Sequence, residues 1–480
     1  MGHFPAFEIL KEASVNWPEK AAVYDNYGRI TFGQLYAEAE ELRLKLKELG
    51  IKQGMAVGLK ACNGRNFITG LFAVVGCGAT VMPVYHQLKK PEIDTILQET
   101  RLHALLDDKS GPTYFENSDS IISMKAGLFH FNIIEANQGL LFAPHVKMPA
   151  FMRFTSGTTG KSKGVVISHQ SAIERIVAAN KGLGLDSKDI VIWVLPMAYH
   201  FLVSIVLYIK YGVAIAIAKD FLAKNIIQLT NQYSGTLLYA SPLQIRLLAN
   251  DAGTAEMPSL KKIISTSAGI SLDVCLAFKK RFNKDVSQAY GIIEIGLPII
   301  NSIQSAEHPD AVGYALPDFD IAILDDQNNP LPPGTIGHLG IKGPGMFDAY
   351  LLPAQVRDEV LINGYFLTAD YASKAADGLV KIEGRAKSVI NVSGIKIFPE
   401  EIESVLETIP EIKLARVSSN SHNLLGQIIE AEVVLQEGAT IDIANVLTYC
   451  RQRLSNFKAP QRLKIVSTLP ITNTGKLRRD

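Results

Sequence analysis

The sequence predicts an α/β protein: a large N-terminal domain of parallel, helix-flanked sheets carrying a barrel-like subdomain, then a small α+β C-terminal domain. Three observations predict it. Apolar strand-like runs alternate with helical patterns as far as about residue 310, which implies parallel sheets covered by helices. The segment 311–385 turns to glycine, proline and short alternating strands, which suggests the barrel-like part. After Gly384 a compact set of two helices and three strands fills the remaining chain. At 480 residues the chain exceeds one ordinary core, and the change of pattern places the domains at 1–385 and 386–480.

The elements follow in order. Residues 31–50 form the clearest helix, with Thr31 as N-cap, Leu35, Leu42, Leu46 and Leu49 on one stripe, and Gly50 to end it. MAVGLKA and ATVMPVY read as strands flanking an apolar helix. Two long apolar stretches, 68–84 and 201–219, contain internal glycines, with Pro83 in the first and Lys210 in the second. Each reads as a buried helix running into a buried parallel strand, so no membrane span is expected. Beyond Gly384 come the helix PEEIESVLETI, strands KLARVSSN and QIIEAEVVLQ, the helix IANVLTYCRQRLSNF and the strand RLKIVSTL. The tail ITNTGKLRRD lacks apolar periodicity and is expected to be an exposed loop.

Composition narrows the function. Apolar residues make up 47% and charged residues 20%, with a net charge of +1, so there is no electrostatic case for nucleic acid or an anionic membrane surface. The four cysteines, Cys62, Cys77, Cys275 and Cys450, are far apart in apolar surroundings and read as packing residues, not zinc ligands or disulfides. The start MGHFPAFEIL lacks a basic region before a long apolar run, and Ala6 weakens a myristoylation reading of Gly2, so the cytoplasm is the expected location.

The strongest local signal is Phe154-Thr155-Ser156-Gly157-Thr158-Thr159-Gly160-Lys161-Ser162-Lys163-Gly164, entered by the strand AFMRF and left by the strand GVVISH. Converging backbone N–H groups at the glycines, hydroxyl donors and two lysines suit a polyphosphate; a plain surface loop is the alternative. A Walker A loop is excluded, because Gly157 and Gly160 enclose only two residues and a strand stands where the helix should open.

This loop resembles the phosphate loop, TSGTTGxPKG, of the adenylate-forming superfamily of acyl-CoA synthetases, adenylation domains and luciferases, with Ser162 in the proline position. Further segments resemble the family's motifs in order, spanning roughly residues 20–480. Leu195-Pro196-Met197-Ala198-Tyr199-His200-Phe201 is similar to the segment beside the acyl pocket and makes His200 a gate near the carboxylate. Ser267-Ala268-Gly269 resembles one wall of the adenine site. Gln288-Ala289-Tyr290-Gly291-Ile292-Ile293-Glu294 resembles YGxTE, implying that Tyr290 stacks on adenine and that Glu294, with Thr155, helps hold Mg²⁺. Ile293 stands where the family has a threonine donor to the α-phosphate, a loss of ~3 kcal/mol in adenylation if nothing compensates. Leu367-Thr368-Ala369-Asp370 resembles TGD, with Ala369 for glycine, and implies that Asp370 accepts from the ribose hydroxyls, joined by Arg385 of Gly384-Arg385 and by Ile382 in the nucleotide site.

The resemblance continues through Lys387, at the family's hinge, to Ser393-Gly394-Ile395-Lys396, where Asn391 replaces a commoner lysine. It therefore implies a mobile C-terminal domain. Pro470-Ile471-Thr472-Asn473-Thr474-Gly475-Lys476 resembles the terminal PxxxxGK, making Lys476 the cation that bridges carboxylate and α-phosphate. What the resemblance implies is an ATP- and Mg²⁺-dependent acid–thiol ligase, with Lys476, Glu294 and His200 catalytic and Thr155, Ser156, Gly157, Thr158, Thr159, Gly160 and Lys163 around the leaving phosphates. The acceptor is coenzyme A, with Gly394, Lys396, Lys458 and Arg462 as possible contacts, or the phosphopantetheine arm of a carrier protein. Tyr199, Phe201, Leu202, Val203 and Ile205 carry no acidic group for an amino substituent, which favours a fatty or aromatic acid. A catalytically weak nucleotide-binding relative, or a luciferase-like oxidase, is the reading from another class. The chain is expected to be a monomer or homodimer.

Overall fold

The computed structural model describes residues 3–155, 163–386, 388–392, 395–422, 426–454, 458–470 and 477. Two nine-stranded mixed sheets make the large part of the molecule. In the first, Lys262–Ser265, Leu237–Ala240, Ile190–Trp193, Ala214–Ile217 and Ala21–Asp25 lie side by side and parallel. In the second, Ala56–Ala61 pairs in parallel with both Thr80–Tyr85 and Ala104–Asp107. Every residue of Ala56–Ala61 is buried, as expected of a strand covered on both faces.

The local chemistry explains the elements. Thr31 caps the helix Phe32–Glu48 through a capping box with Gln34, whose side chain returns a bond to the Thr31 backbone. The wholly buried helix Arg65–Gly76 runs into the parallel strand Thr80–Tyr85, and the stretch 201–219 likewise ends in the parallel strand Ala214–Ile217. Its helical part departs from the expectation in form. Phe201–Val206 is a π-type turn before the short α-helix Leu207–Lys210, and Ser204 Oγ donates to the His200 carbonyl at 2.7 Å. Such turns disturb the regular ladder and are frequent at functional sites. No helix among the described residues is long and apolar enough to cross a membrane.

The segment expected to be barrel-like forms a four-stranded antiparallel sheet in the order Asp320–Leu324, Gly337–Lys342, Phe366–Lys374, Val380–Arg385. The small C-terminal unit opens with the hairpin Ile390–Val392 and Ile395–Ile397. The helices Pro399–Leu406 and Ile443–Arg453 share its core with the sheet Ile412–His422, Gly426–Leu435, Arg462–Ile465. This core shares no buried residue with the other three clusters. Cys77, Cys275 and Cys450 are buried and Cys62 is half-buried; all are free, and burial pushes their thiols up to about 11 or 12, which keeps them unreactive.

Candidate active site

The glycine- and hydroxyl-rich segment joins the two arms of an antiparallel hairpin. Pro149–Thr155 pairs with Lys163–Ser168 as far as Thr155 opposite Lys163. A strand therefore follows the loop where a P-loop would have a helix. Ser156, Gly157, Thr158, Thr159, Gly160, Lys161 and Ser162, with the side chains of Thr155 and Lys163, lie outside the described residues, as do Lys387, Ser393, Gly394, Lys476 and the Lys396 side chain.

The sheet edges then assemble residues distant in sequence. Tyr290, on Ser287–Ile292, donates its hydroxyl to Asp370 Oδ2 at 2.5 Å across eighty positions. Arg385 stands opposite Asp370 in register, with Nε 3.2 Å from Oδ1. The carboxylate is 5% exposed and the guanidinium 45%, so Asp370 sits at the floor and Arg385 at the rim. Desolvation, and then the Asp370 charge, drive the Tyr290 phenol well above its usual range, so it stays a donor. Thr368 Oγ1 also accepts from the Asp370 N–H at 3.2 Å. Ala369 adopts φ +61°, a left-handed conformation suited to the glycine whose place it takes. Ile382 lies half-buried on the neighbouring strand, opposite Ala372.

Gly291 is required by packing: a Cβ there would meet the Gly296 carbonyl oxygen at 2.5 Å. Ala289 is buried, and Gln288 ties loops together, donating to the Pro309 carbonyl at 2.6 Å and accepting from Ile270 N at 3.4 Å. Gln288 is thus a structural residue of the wall. In the facing turn, Ser267 takes φ +77° and its Oγ lies 3.3 Å from His200 Nε2, while among the described residues no atom outside the adjoining chain lies within 4 Å of where a Cβ on Gly269 would stand. His200 and the Ser267-Ala268-Gly269 turn therefore adjoin.

Glu294 is held by its own backbone and by two residues the sequence did not single out. Its carbonyl accepts from Phe347 N at 2.7 Å, and Oε1 accepts from the Tyr350 hydroxyl at 3.2 Å. Arg175, on the buried face of His169–Leu183, donates to the carbonyls of Ile293 and Gly345, each at 2.8 Å. Gly345 has φ +66° and packs on the Arg175 backbone, where a Cβ would meet N at 2.4 Å. Desolvation raises the Glu294 carboxyl, opposed by hydrogen bonds and the charges of Arg153 and Arg175. A desolvated carboxylate is the hard oxygen donor that Mg²⁺ takes alongside phosphate. Among the described residues no cluster of three or more His, Cys, Asp or Glu forms a metal site.

One expectation needs correction. Phe201, Leu202 and Ile205 pack in the main hydrophobic core, leaving Tyr199 and Val203 of that segment with partial exposure; their apolar character reflects the core and does not select the acid. Lys458 pairs with Glu401 at 2.7 Å and the exposed Arg462 with Glu430 at 3.1 Å, ion pairs that an acceptor's phosphates would have to displace. The described cavity of about 370 Å³, lined by Phe4, Leu141, Phe142 and His169 among others, shares no residue with the expected site.

The fold and these residues define a two-part α/β protein whose candidate site gathers at the ends of its strands. The chain belongs to the AMP-binding enzyme family: the family model matches residues 10–351, and that of the AMP-binding enzyme C-terminal domain matches residues 401–476. Among curated relatives, it is 26% identical to a fatty acid–[acyl-carrier-protein] ligase of Streptomyces coeruleorubidus, covering 99% of this chain and 96% of that one. It is 25% identical to a 2-succinylbenzoate–CoA ligase of Geobacillus kaustophilus, covering 98% and 96%. Among solved structures, ATP-bound MatB from Rhodopseudomonas palustris shares the fold, with a TM-score of 0.85, 23% identity, and coverage of 98% and 97%.

Proposed function

We propose that the chain is an AMP-forming acid–thiol ligase. It activates a carboxylic acid with ATP as the acyl-adenylate and transfers the acyl group to coenzyme A; the names of the Streptomyces and Geobacillus relatives support a fatty or aromatic acid. The observation that carries this reading is the Tyr290–Asp370–Arg385 cluster: a buried carboxylate fixed by a phenol and an arginine, in a member of the AMP-binding enzyme family.

In this reading Asp370 accepts from the ribose hydroxyls, and Arg385 and Ile382 lie beside the nucleotide. The Tyr290 ring, with Ala289 and Gly291 on one side and Ser267, Ala268 and Gly269 on the other, accommodates adenine. Residues 155–163 surround the leaving phosphates and His200 gates the carboxylate. Glu294 and Thr155 would hold Mg²⁺, which supplies positive charge against the pyrophosphate. The acid's carboxylate oxygen attacks the α-phosphorus, the bond to the pyrophosphate oxygen breaks, and Lys476 stabilises the attacking side; no covalent enzyme intermediate is needed. The thiol then attacks the acyl carbon and AMP leaves. The unit 386–480 turns about Lys387 between the two steps, and Gly384 packs against it, since a Cβ there would meet Phe398 at 2.6 Å. Gly394 and Lys396 border the thiol's approach. The Streptomyces relative's name supports a second acceptor, the phosphopantetheine arm of a carrier protein.

The test is ATP–pyrophosphate exchange across fatty, benzoic and cinnamic acids, followed by titration of both acceptors against preformed acyl-adenylate. Lys476→Ala is expected to abolish exchange while thioester formation from supplied adenylate persists. Equal loss in both steps would remove Lys476 from its role.

A further inference from the structure

The run AFMRF contains a single charged residue among apolar ones. Phe151 and Met152 are fully buried in the core, whereas Arg153 is half-buried at the end of the strand that enters the glycine-rich loop. Its Nε is buried and has no hydrogen-bond partner among the described residues. Its guanidinium lies 5.5 Å from the centroid of the Tyr199 ring, and that ring in turn stands 5.4 Å from the ring of Tyr85. Glu294 is close enough to raise its basicity against burial, yet the Glu294 carboxylate takes its hydrogen bond from Tyr350. A buried guanidinium N–H without an acceptor is costly, and its planar fork matches a carboxylate.

We propose that Arg153 binds the carboxylate of the acid substrate, beside the Tyr85–Tyr199 aromatic wall. The inference rests on the ligase reading above and adds to it a substrate-binding residue. The placement favours the acid over the nucleotide, because the Tyr199 ring that Arg153 faces immediately precedes His200. Arg153 neutralises the acid in its ground state and orients one oxygen for attack.

The experiment is steady-state pyrophosphate exchange with Arg153→Gln and Arg153→Lys, with KM measured separately for acid and for ATP. Arg153→Gln is expected to raise KM for the acid about 10–100-fold, the loss of one charge-assisted contact, with KM for ATP within about threefold. Its melting temperature and its rate of thioester formation from supplied acyl-adenylate, which has no free carboxylate, are expected to match wild type. Arg153→Lys keeps the charge without the fork and is expected to fall between the two; if Arg153→Gln does not fold, the ratio of the two KM changes in Arg153→Lys decides. An acid KM unchanged, or acid and ATP KM rising together, would overturn the proposal. Wild-type protein inactive with every acid would overturn the ligase reading and this inference with it, whereas active wild type with an unaffected Arg153→Gln overturns this inference alone.

Discussion

Replacing Tyr290 by phenylalanine isolates the hydrogen bond on which the candidate nucleotide floor depends. The ring remains, so no cavity opens, and the hydroxyl's 2.5 Å contact to Asp370 is lost. A hydrogen bond to a charged partner contributes about 1.5–3 kcal/mol, and the Asp370 side chain is too buried for water to replace the donor freely. The remaining cation, Arg385, is nearly half exposed and compensates weakly. Taking ~2 cal/mol/K per residue over roughly 380 residues, the melting temperature should fall by about 2–4 °C. A carboxylate left free to rotate also presents its oxygens less well to a ribose, so ATP affinity should weaken by about 5–20-fold, or ~1–2 kcal/mol. Calorimetry of the free protein and isothermal titration with a non-hydrolysable ATP analogue measure both. An unchanged melting temperature with unchanged affinity would refute the assignment of Tyr290 as the support of Asp370.

The raised Glu294 carboxyl has a pH signature. A group whose folded pKa lies above its unfolded value contributes stability that is full below the unfolded value and lost as pH rises through the folded one. Glu294→Gln should therefore raise the melting temperature at pH 8 without Mg²⁺, with the gain vanishing near pH 4, while adenylation is lost; a destabilised variant at pH 8 would contradict this. Ala369→Gly relieves the left-handed backbone but adds freedom to the unfolded chain, so a net gain of about 0–1 kcal/mol in denaturant unfolding is expected, and a loss above ~1 kcal/mol would contradict it. Arg246 ties the large part of the molecule to the small unit through Glu407 at 2.7 Å and the Lys413 carbonyl at 2.9 Å. Arg246→Ala should leave the melting temperature within about 2 °C yet speed protease cleavage near residues 386–398 about threefold or more; unchanged cleavage would show that the contact does not restrain the unit.

Periodicity and punctuation made much of the fold legible. The Thr31 cap, the apolar strands Ala56–Ala61 and Thr80–Tyr85 and the hairpin around the glycine-rich loop depend on interactions within short stretches, which spacing reports directly. The small unit after Gly384 was legible for the same reason. What escaped depends on distant pairing. Tyr290 and Asp370 were each recognisable as site residues, but their bond joins strands of different sheets, and no local pattern encodes it. Phe201, Leu202 and Ile205 read equally well as pocket or core, because an apolar side chain does not announce which apolar neighbour it meets. Arg153, Arg175 and Tyr350 were missed although Arg153 carried a signal, a lone charge inside an apolar strand. The barrel-like expectation recognised short alternating strands in 311–385 but not their arrangement, which register sets.

The most direct measurement is product identification in an acid-dependent reaction of the wild-type protein with ATP, Mg²⁺ and coenzyme A. Attack at the α-phosphorus must release AMP and pyrophosphate in equal amounts with the thioester formed. Stoichiometric ADP and phosphate, or nucleotide turnover indifferent to every acid supplied, would contradict the account.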